Sequence, residues 1–170
     1  MDTGALLLSE STPIGPDETA GELSARLSTI GTRVMMRTLD ELESLVPKPQ
    51  DHAQATLAPR LKKEDGWLRL HEPAKALVDR VRGCNPWPGA VLAAATNRLL
   101  IWRAVVVPHP TTAAPGTLVT TGPGATGVAT GEGLLLPVEV QPENRKAMSW
   151  EDFLRGARLG PGDRLTEIAS

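Results

Sequence analysis

The hexapeptide Asn85-Pro86-Trp87-Pro88-Gly89-Ala90 constrains this chain more than any other stretch. Each proline fixes its own φ, removes an N–H and pushes the residue before it toward extended geometry. Neither a helix nor a central strand can run through such a segment. Trp87 is therefore expected on a stiff, non-helical rod, and Gly89 lets the chain turn out of it. A helical pattern leads in, with Leu77, Val78 and Val81 apolar, Lys75, Arg80 and Arg82 polar, and Pro73 suited to the first turn. The hexapeptide reads as a corner joining a helical half to a β half. Pro86, Trp87, Pro88 and Gly89 are its structural residues, with Trp87 as the peg. The competing reading of Trp87 is a platform for a base or an aminoacyl group.

After the corner the apolar period becomes two, or collapses into short runs. Candidate strands are 90–94, 99–107, 117–121, 127–130 and 134–141. Turn-rich separators lie between them, among them Gly122-Pro123-Gly124 and Gly131-Glu132-Gly133. Five short strands at this spacing suggest a small barrel or sandwich, and the long 99–107 run is expected to cross both faces of a closed barrel. Ser149 caps a last helix whose apolar stripe is Phe153, Leu154 and Ala157, and Gly160-Pro161-Gly162 ends it. Residues 166–170 are expected to be a loose tail.

The segment before the corner is organised differently. Leu6-Leu7-Leu8, flanked by Gly and Ser, reads as a short buried strand. Such a strand needs a partner, so exposed apolar surface and aggregation are expected around it. Thr19 and Glu22 form a capping-box pattern opening a helical stripe. Gly31 interrupts that stripe, so two short helices, or one broken at Gly31, are expected. Pro47-Lys48-Pro49-Gln50-Asp51-His52 has linker composition. The expected organisation is residues 1–46 with a strand and helices, a linker over 47–58, and a domain over 59–165.

Charge follows the same division. The net charge is −2, yet residues 1–59 hold 4 basic and 9 acidic side chains and residues 60–170 hold 14 and 11. The second part can meet a polyanion, although the balance does not require it. The single cysteine, Cys84, forms no internal disulfide and follows an apolar helix pattern, so it reads as buried and inert. No apolar run has membrane-spanning length, and no basic segment precedes the first leucines, so no membrane partner and a cytoplasmic location are expected.

Catalytic patterns are missing from the residues alone. His52, His71 and His109 have no ligand partner at metal spacing, so no metal is expected. There is no phosphate-cradling P-loop, and the glycine clusters sit between strands rather than before a helix.

The motifs taken in order carry a resemblance. They are Asp2-Thr3-Gly4, the 17–23 stretch Asp-Glu-Thr-Ala-Gly-Glu-Leu, Lys62-Lys63-Glu64-Asp65-Gly66, Pro73-Ala74, Val81-Arg82-Gly83 and the hexapeptide. Pro115-Gly116-Thr117, Ala129-Thr130-Gly131-Glu132-Gly133, Lys146-Ala147-Met148-Ser149 and Phe153-Leu154-Arg155-Gly156 complete them. In this order they resemble the C-terminal half of the methionyl-tRNA formyltransferase family. Met1 stands where the family has Leu, and Arg69-Leu70 stands where it has Asp followed by an aromatic. The second departure bears on how that segment packs.

The resemblance implies an α+β chain: the remnant of a Rossmann-like α/β domain and linker helices, then an OB-like small barrel with flanking helices. It implies transfer of a formyl group from 10-formyltetrahydrofolate to the amino group of methionyl initiator tRNA. It assigns Asp2 to the catalytic set, orienting a histidine that supports the attacking amine. The family's Asn and His, and its folate site, have no counterpart in these residues, so the chain alone is expected to be inactive. Candidate tRNA contacts are Lys62, Lys63, Arg82, Lys146, Arg155 and Arg158, because phosphates need Lys or Arg on one face. Two alternatives stand beside this reading: a stand-alone tRNA-binding module without catalysis, and a piece of a sugar-amine formyltransferase, which shares the Pro-Trp-Pro-Gly-Ala corner.

Overall fold

A computed structural model describes residues 3–94, 97–122 and 124–168. The chain divides into two compact units, Met1–Arg60 and Leu61–Ser170. Its class is α+β.

The first unit is built on helix α1, Ala20–Asp40. The capping box forms as the sequence predicts: Glu22 N–H donates to the Thr19 hydroxyl, and the Thr19 N–H donates back to the Glu22 carboxylate at 2.9 Å. Gly31 does not break the helix, contrary to expectation. One interior glycine costs about 1 kcal/mol relative to alanine, which does not outweigh continuous hydrogen bonding on either side. None of the α1 residues is buried within the unit, and Leu27, Met35, Met36 and Leu39 are exposed. The expected buried strand at Leu6–Leu8 is also corrected. Leu6 makes a single antiparallel bridge to Lys48, with N–O distances of 2.8 and 2.9 Å, and is 47% exposed. An apolar run becomes a strand only where a neighbouring strand supplies a ladder.

The second unit is one antiparallel sheet with two helices. Its elements are α2 (Ala74–Gly83), β1 (Ala90–Ala94), β2 (Asn97–Val107), β3 (Leu118–Gly122), β4 (Ala125–Ala129), β5 (Leu134–Pro142), β6 (Met148–Ser149) and α3 (Trp150–Ala157). The strand order is β1-β2-β5-β4-β3, with β6 added to β5. The five expected strands are present with ends moved by one or two residues; β6 is the addition. The long strand β2 pairs with β1 through 97–101 and with β5 through 99–107. Its ladder shifts register on both sides of Arg103.

Both outer edges of the sheet are covered. Ala93 of β1 exchanges two hydrogen bonds with Thr166, at 2.8 and 2.9 Å, and Leu118 of β3 accepts and donates through Gly162 and Asp163. The stretch 162–166 therefore joins β1 to β3, satisfying edge groups that would otherwise recruit another strand. Thr166 is thus held, and the Glu167 carboxylate accepts the Leu70 N–H at 2.8 Å. The expected loose tail is corrected for these two residues; 169 and 170 lie outside the described residues.

The core sits between the sheet and the helices. Leu77 and Val81 of α2, Leu99 and Ile101 of β2, and Phe153 and Leu154 of α3 belong to it. The Arg69-Leu70 departure is accommodated: Leu70 is buried, while the Arg69 guanidinium lies 5.6 Å from the centre of the Trp67 ring.

Candidate nucleic-acid interface

The corner is a turn rather than a rod. Both peptide bonds into Pro86 and Pro88 are cis, and the Gly89 N–H closes the turn onto the Cys84 carbonyl at 2.8 Å. Gly89 takes φ +82°, open to a residue without Cβ. The peg is corrected too: Trp87 is 53% exposed. The corner is held by Asn85, whose side-chain amide donates to the Trp102 carbonyl, and by close backbone contact with Gly66. Cys84 is buried, 5% exposed, and burial pushes its thiol pKa up, as fits an inert core cysteine.

The cationic candidates fall into two groups. Lys62 and Lys63 are exposed at the start of a 3₁₀ turn, Lys63–Gly66, that packs on the corner. The turn is capped by its own carboxylate, because the Lys62 N–H donates to Asp65 at 2.6 Å. Arg82 stands on the last turn of α2, half-buried, its guanidinium 2.8 Å from Asp79. Lys75 and Arg82 together hold the Asp79 carboxyl below its usual pKa, so part of the Arg82 charge is already answered.

The second group lies toward the other end of β1, a strand about 13 Å long over its four steps. Lys146 is exposed in the loop between β5 and β6. Arg155 is exposed on α3 and 2.6 Å from Asp152. Arg158 is exposed and ends the helix in the left-handed region at φ 56°. Their chain neighbours Arg145, Gly156, Ala157 and Leu159 line a groove walled by β1, β2, β5 and α3. Its floor is apolar, from Leu99, Met148, Phe153 and Leu159, and Arg98 and Arg145 also line it. Sequence reasoning missed both arginines. Arg145 adjoins Lys146, a usable signal. Arg98 carries none, because its place depends on the β2–β5 register that sets Leu99 opposite Pro142.

Asp2 lies outside the described residues. Among the described residues no group of three or more His, Cys, Asp or Glu could hold a metal, and no helix is long and apolar enough to cross a membrane. Among the described residues the buried polar side chains are Thr19 and Thr130, one a helix cap and the other bonded to the Glu132 and Gly133 carbonyls. A folate donor needs directed polar groups in a buried slot. Thr19 and Thr130 already have their partners within the chain, so neither offers such a group.

Comparison with known proteins follows the same lines. The family described as "Formyl transferase, C-terminal domain" matches residues 60–158. The methionyl-tRNA formyltransferase of Solibacter usitatus is 46% identical over 169 residues, 98% of this chain and 54% of that protein. That of Thermus thermophilus is 40% identical over 168 residues, 99% of this chain and 54% of that protein. The enzyme of Deinococcus radiodurans is 42% identical over 165 residues, 97% and 51% respectively. The chain spans about half the length of these curated relatives. Among solved structures, HypX from Aquifex aeolicus shares the fold at TM-score 0.65 and 16% identity, over 92% of this chain and 29% of that one. With nearly all of the chain aligned to methionyl-tRNA formyltransferases, the sugar-amine and stand-alone alternatives are not favoured. The chain belongs to the methionyl-tRNA formyltransferase family, of which it carries the C-terminal half.

Proposed function

We propose that this chain is the tRNA-holding half of an enzyme that moves a formyl group from 10-formyltetrahydrofolate to the amino group of methionyl initiator tRNA. The observation that carries the reading is alignment of essentially the whole chain, at 46% identity, with a methionyl-tRNA formyltransferase. The chemistry is attack of an amine on a formyl carbonyl, which needs a base for the amine proton and donors for the developing oxyanion. Asp2 would orient the histidine that serves as base. Residues 1–46 form the end of the Rossmann-like catalytic domain, 47–58 the linker and 59–165 an OB-like tRNA-binding domain. The antiparallel order β1-β2-β5-β4-β3, with 162–166 joining the outer strands, supports the barrel reading. A cytoplasmic site of action accompanies a role in translation initiation.

The two cationic groups supply the polyanion contact, one beside the corner and one around α3. The test is binding of initiator methionyl-tRNA to the chain across a salt series. Replacing Lys62 and Lys63 by alanine lowers the log–log salt slope by about 1 to 2. An unchanged slope removes those two residues from the interface, and no binding even at low salt sinks the reading.

A further inference from the structure

Packing leaves the groove at the far end of β1 unexplained. Its volume is about 340 Å³, within the range that takes a small organic ligand. Arg98 and Arg145 line it, and neither has an ion-pair partner among the described residues. The carboxylate on the same wall, Asp152, is already engaged by the Ser149 hydroxyl at 2.7 Å and by Arg155 at 2.6 Å. The groove therefore has two arginines without ion-pair partners in an otherwise largely apolar lining. Phe153 in that floor is fixed by stacking on Trp150, ring centres 5.5 Å apart.

Gly156 adds an independent observation. It lies inside α3, where glycine costs about 1 kcal/mol relative to alanine. A Cβ there would meet nothing within 4 Å, so no close neighbour demands a glycine. What the missing side chain does is leave the groove open, since Gly156 lines it.

We propose that this groove is a subsite for one unpaired RNA nucleotide, its base on the apolar floor and its phosphate at Arg98 and Arg145. The proposal rests on the RNA-holding role proposed above. Guanidinium groups match phosphate oxygens bidentately. Unpaired nucleotides are the part of an RNA whose base faces are free to pack on protein. Exposed Lys146, Arg155 and Arg158, each next in the chain to a lining residue, carry the adjoining phosphates.

The test uses the whole chain, with AMP and inorganic phosphate as probes and amide chemical shifts as the readout. AMP is expected to move the amides of Arg98, Met148 and Gly156 with a dissociation constant on the order of 1 mM. Phosphate alone is expected to move Arg98 and not Met148 or Gly156. Gly156→Leu places a side chain in the groove while improving helix propensity, and Gly156→Ala makes the same helix gain with little filling. Both variants are expected to melt at or above the parent temperature. Gly156→Leu weakens AMP and initiator tRNA about tenfold with the salt slope unchanged, and Gly156→Ala weakens neither. Groove amides unmoved by AMP to about 10 mM, or a Gly156→Leu chain that binds AMP like the parent, overturns the groove and leaves the proposed function standing. A chain that binds no tRNA at low salt overturns that function and the RNA occupant with it.

Discussion

The side-chain amide of Asn85 donates to the main-chain carbonyl of Trp102 across 2.9 Å. Trp102 falls at a register shift: Ile101 faces Val140 of β5 and Arg103 faces Glu139, so Trp102 has no partner residue between them. Pairing with β1 also ends at Ile101. Asn85 thus supplies a donor to a carbonyl that the ladder leaves over, and in doing so ties the proline-rich corner to the longest strand. The Trp102 indole N–H turns to Gln141, 2.9 Å away.

Removing that donor strands a partly buried carbonyl. Asn85→Ala is expected to lower unfolding stability by about 1 to 3 kcal/mol. Asn85→Asp is expected to cost more, since a carboxylate then faces the carbonyl. Urea unfolding of the three chains measures both. A loss under about 0.5 kcal/mol for the alanine variant would show that water replaces the amide without penalty.

Close approach of two backbones makes Gly66 the least replaceable residue near the corner. A Cβ on Gly66 would lie 1.9 Å from the Gly89 carbonyl oxygen, so something in the backbone must move. Gly66→Ala is expected to destabilise the second unit by about 3 kcal/mol or more, read as a fall in melting temperature. Gly83→Ala is the control, because a Cβ there meets nothing within 4 Å. It adds up to about 1 kcal/mol through helix propensity. Equal melting temperatures for the two variants would refute the steric account.

Acid acts on the entry to α1. The Arg26 guanidinium bonds the Glu18 carboxylate at 2.7 Å, and this bond, helped by the Gly15 N–H, lowers the Glu18 pKa from 4.5 to about 2. A carboxyl with a depressed folded pKa contributes stability above its unfolded value and loses it as pH falls through the folded one. The Gly15–Thr19 entry is therefore expected to stay intact at pH 5 and above and to loosen between about 4.5 and 2. Amide signals of Gly15 and Thr19 followed from pH 7 to 2 report this, and Glu18→Gln should abolish the pH dependence of its own contribution in that window. Signals that move equally in parent and variant would assign the change to other groups.

Local rules made much of this architecture legible. The capping box of α1, the strands bounded by glycine-rich turns and the helix-to-sheet corner each depend on residues close in sequence, and each is present. Gly31 does not end the helix, because a helix tolerates one glycine when both flanks are well bonded. The Leu6–Leu8 run forms one bridge and no strand, because an apolar stretch carries no information about whether a partner strand exists. At the corner the prolines excluded helix and central strand, as expected, but they did not dictate a rod. The turn depends on Cys84, Gly89 and Gly66 meeting in space.

The candidate interface divides in the same way. That the part from residue 60 onward is the more basic, and that it belongs with the formyltransferases, can be read from the chain in order. Which cations share a surface cannot. Arg98 and Arg145 reach one groove only through antiparallel pairing of β2 with β5, and Lys62 reaches the corner only because Gly66 lets two backbones touch.

The amino-acid sequence by itself determined the helix starts, the five longer strands and their order, the place of the corner and the family, because these rest on backbone preferences and short-range side-chain bonds. Tertiary structure alone decided the exposure of Trp87, the anchoring of Thr166 and Glu167, and the meeting of Arg98, Arg145 and Gly156 around one groove. Register, edge pairing and burial are properties of residue pairs far apart in the chain, and their energies exist only once both partners are in place.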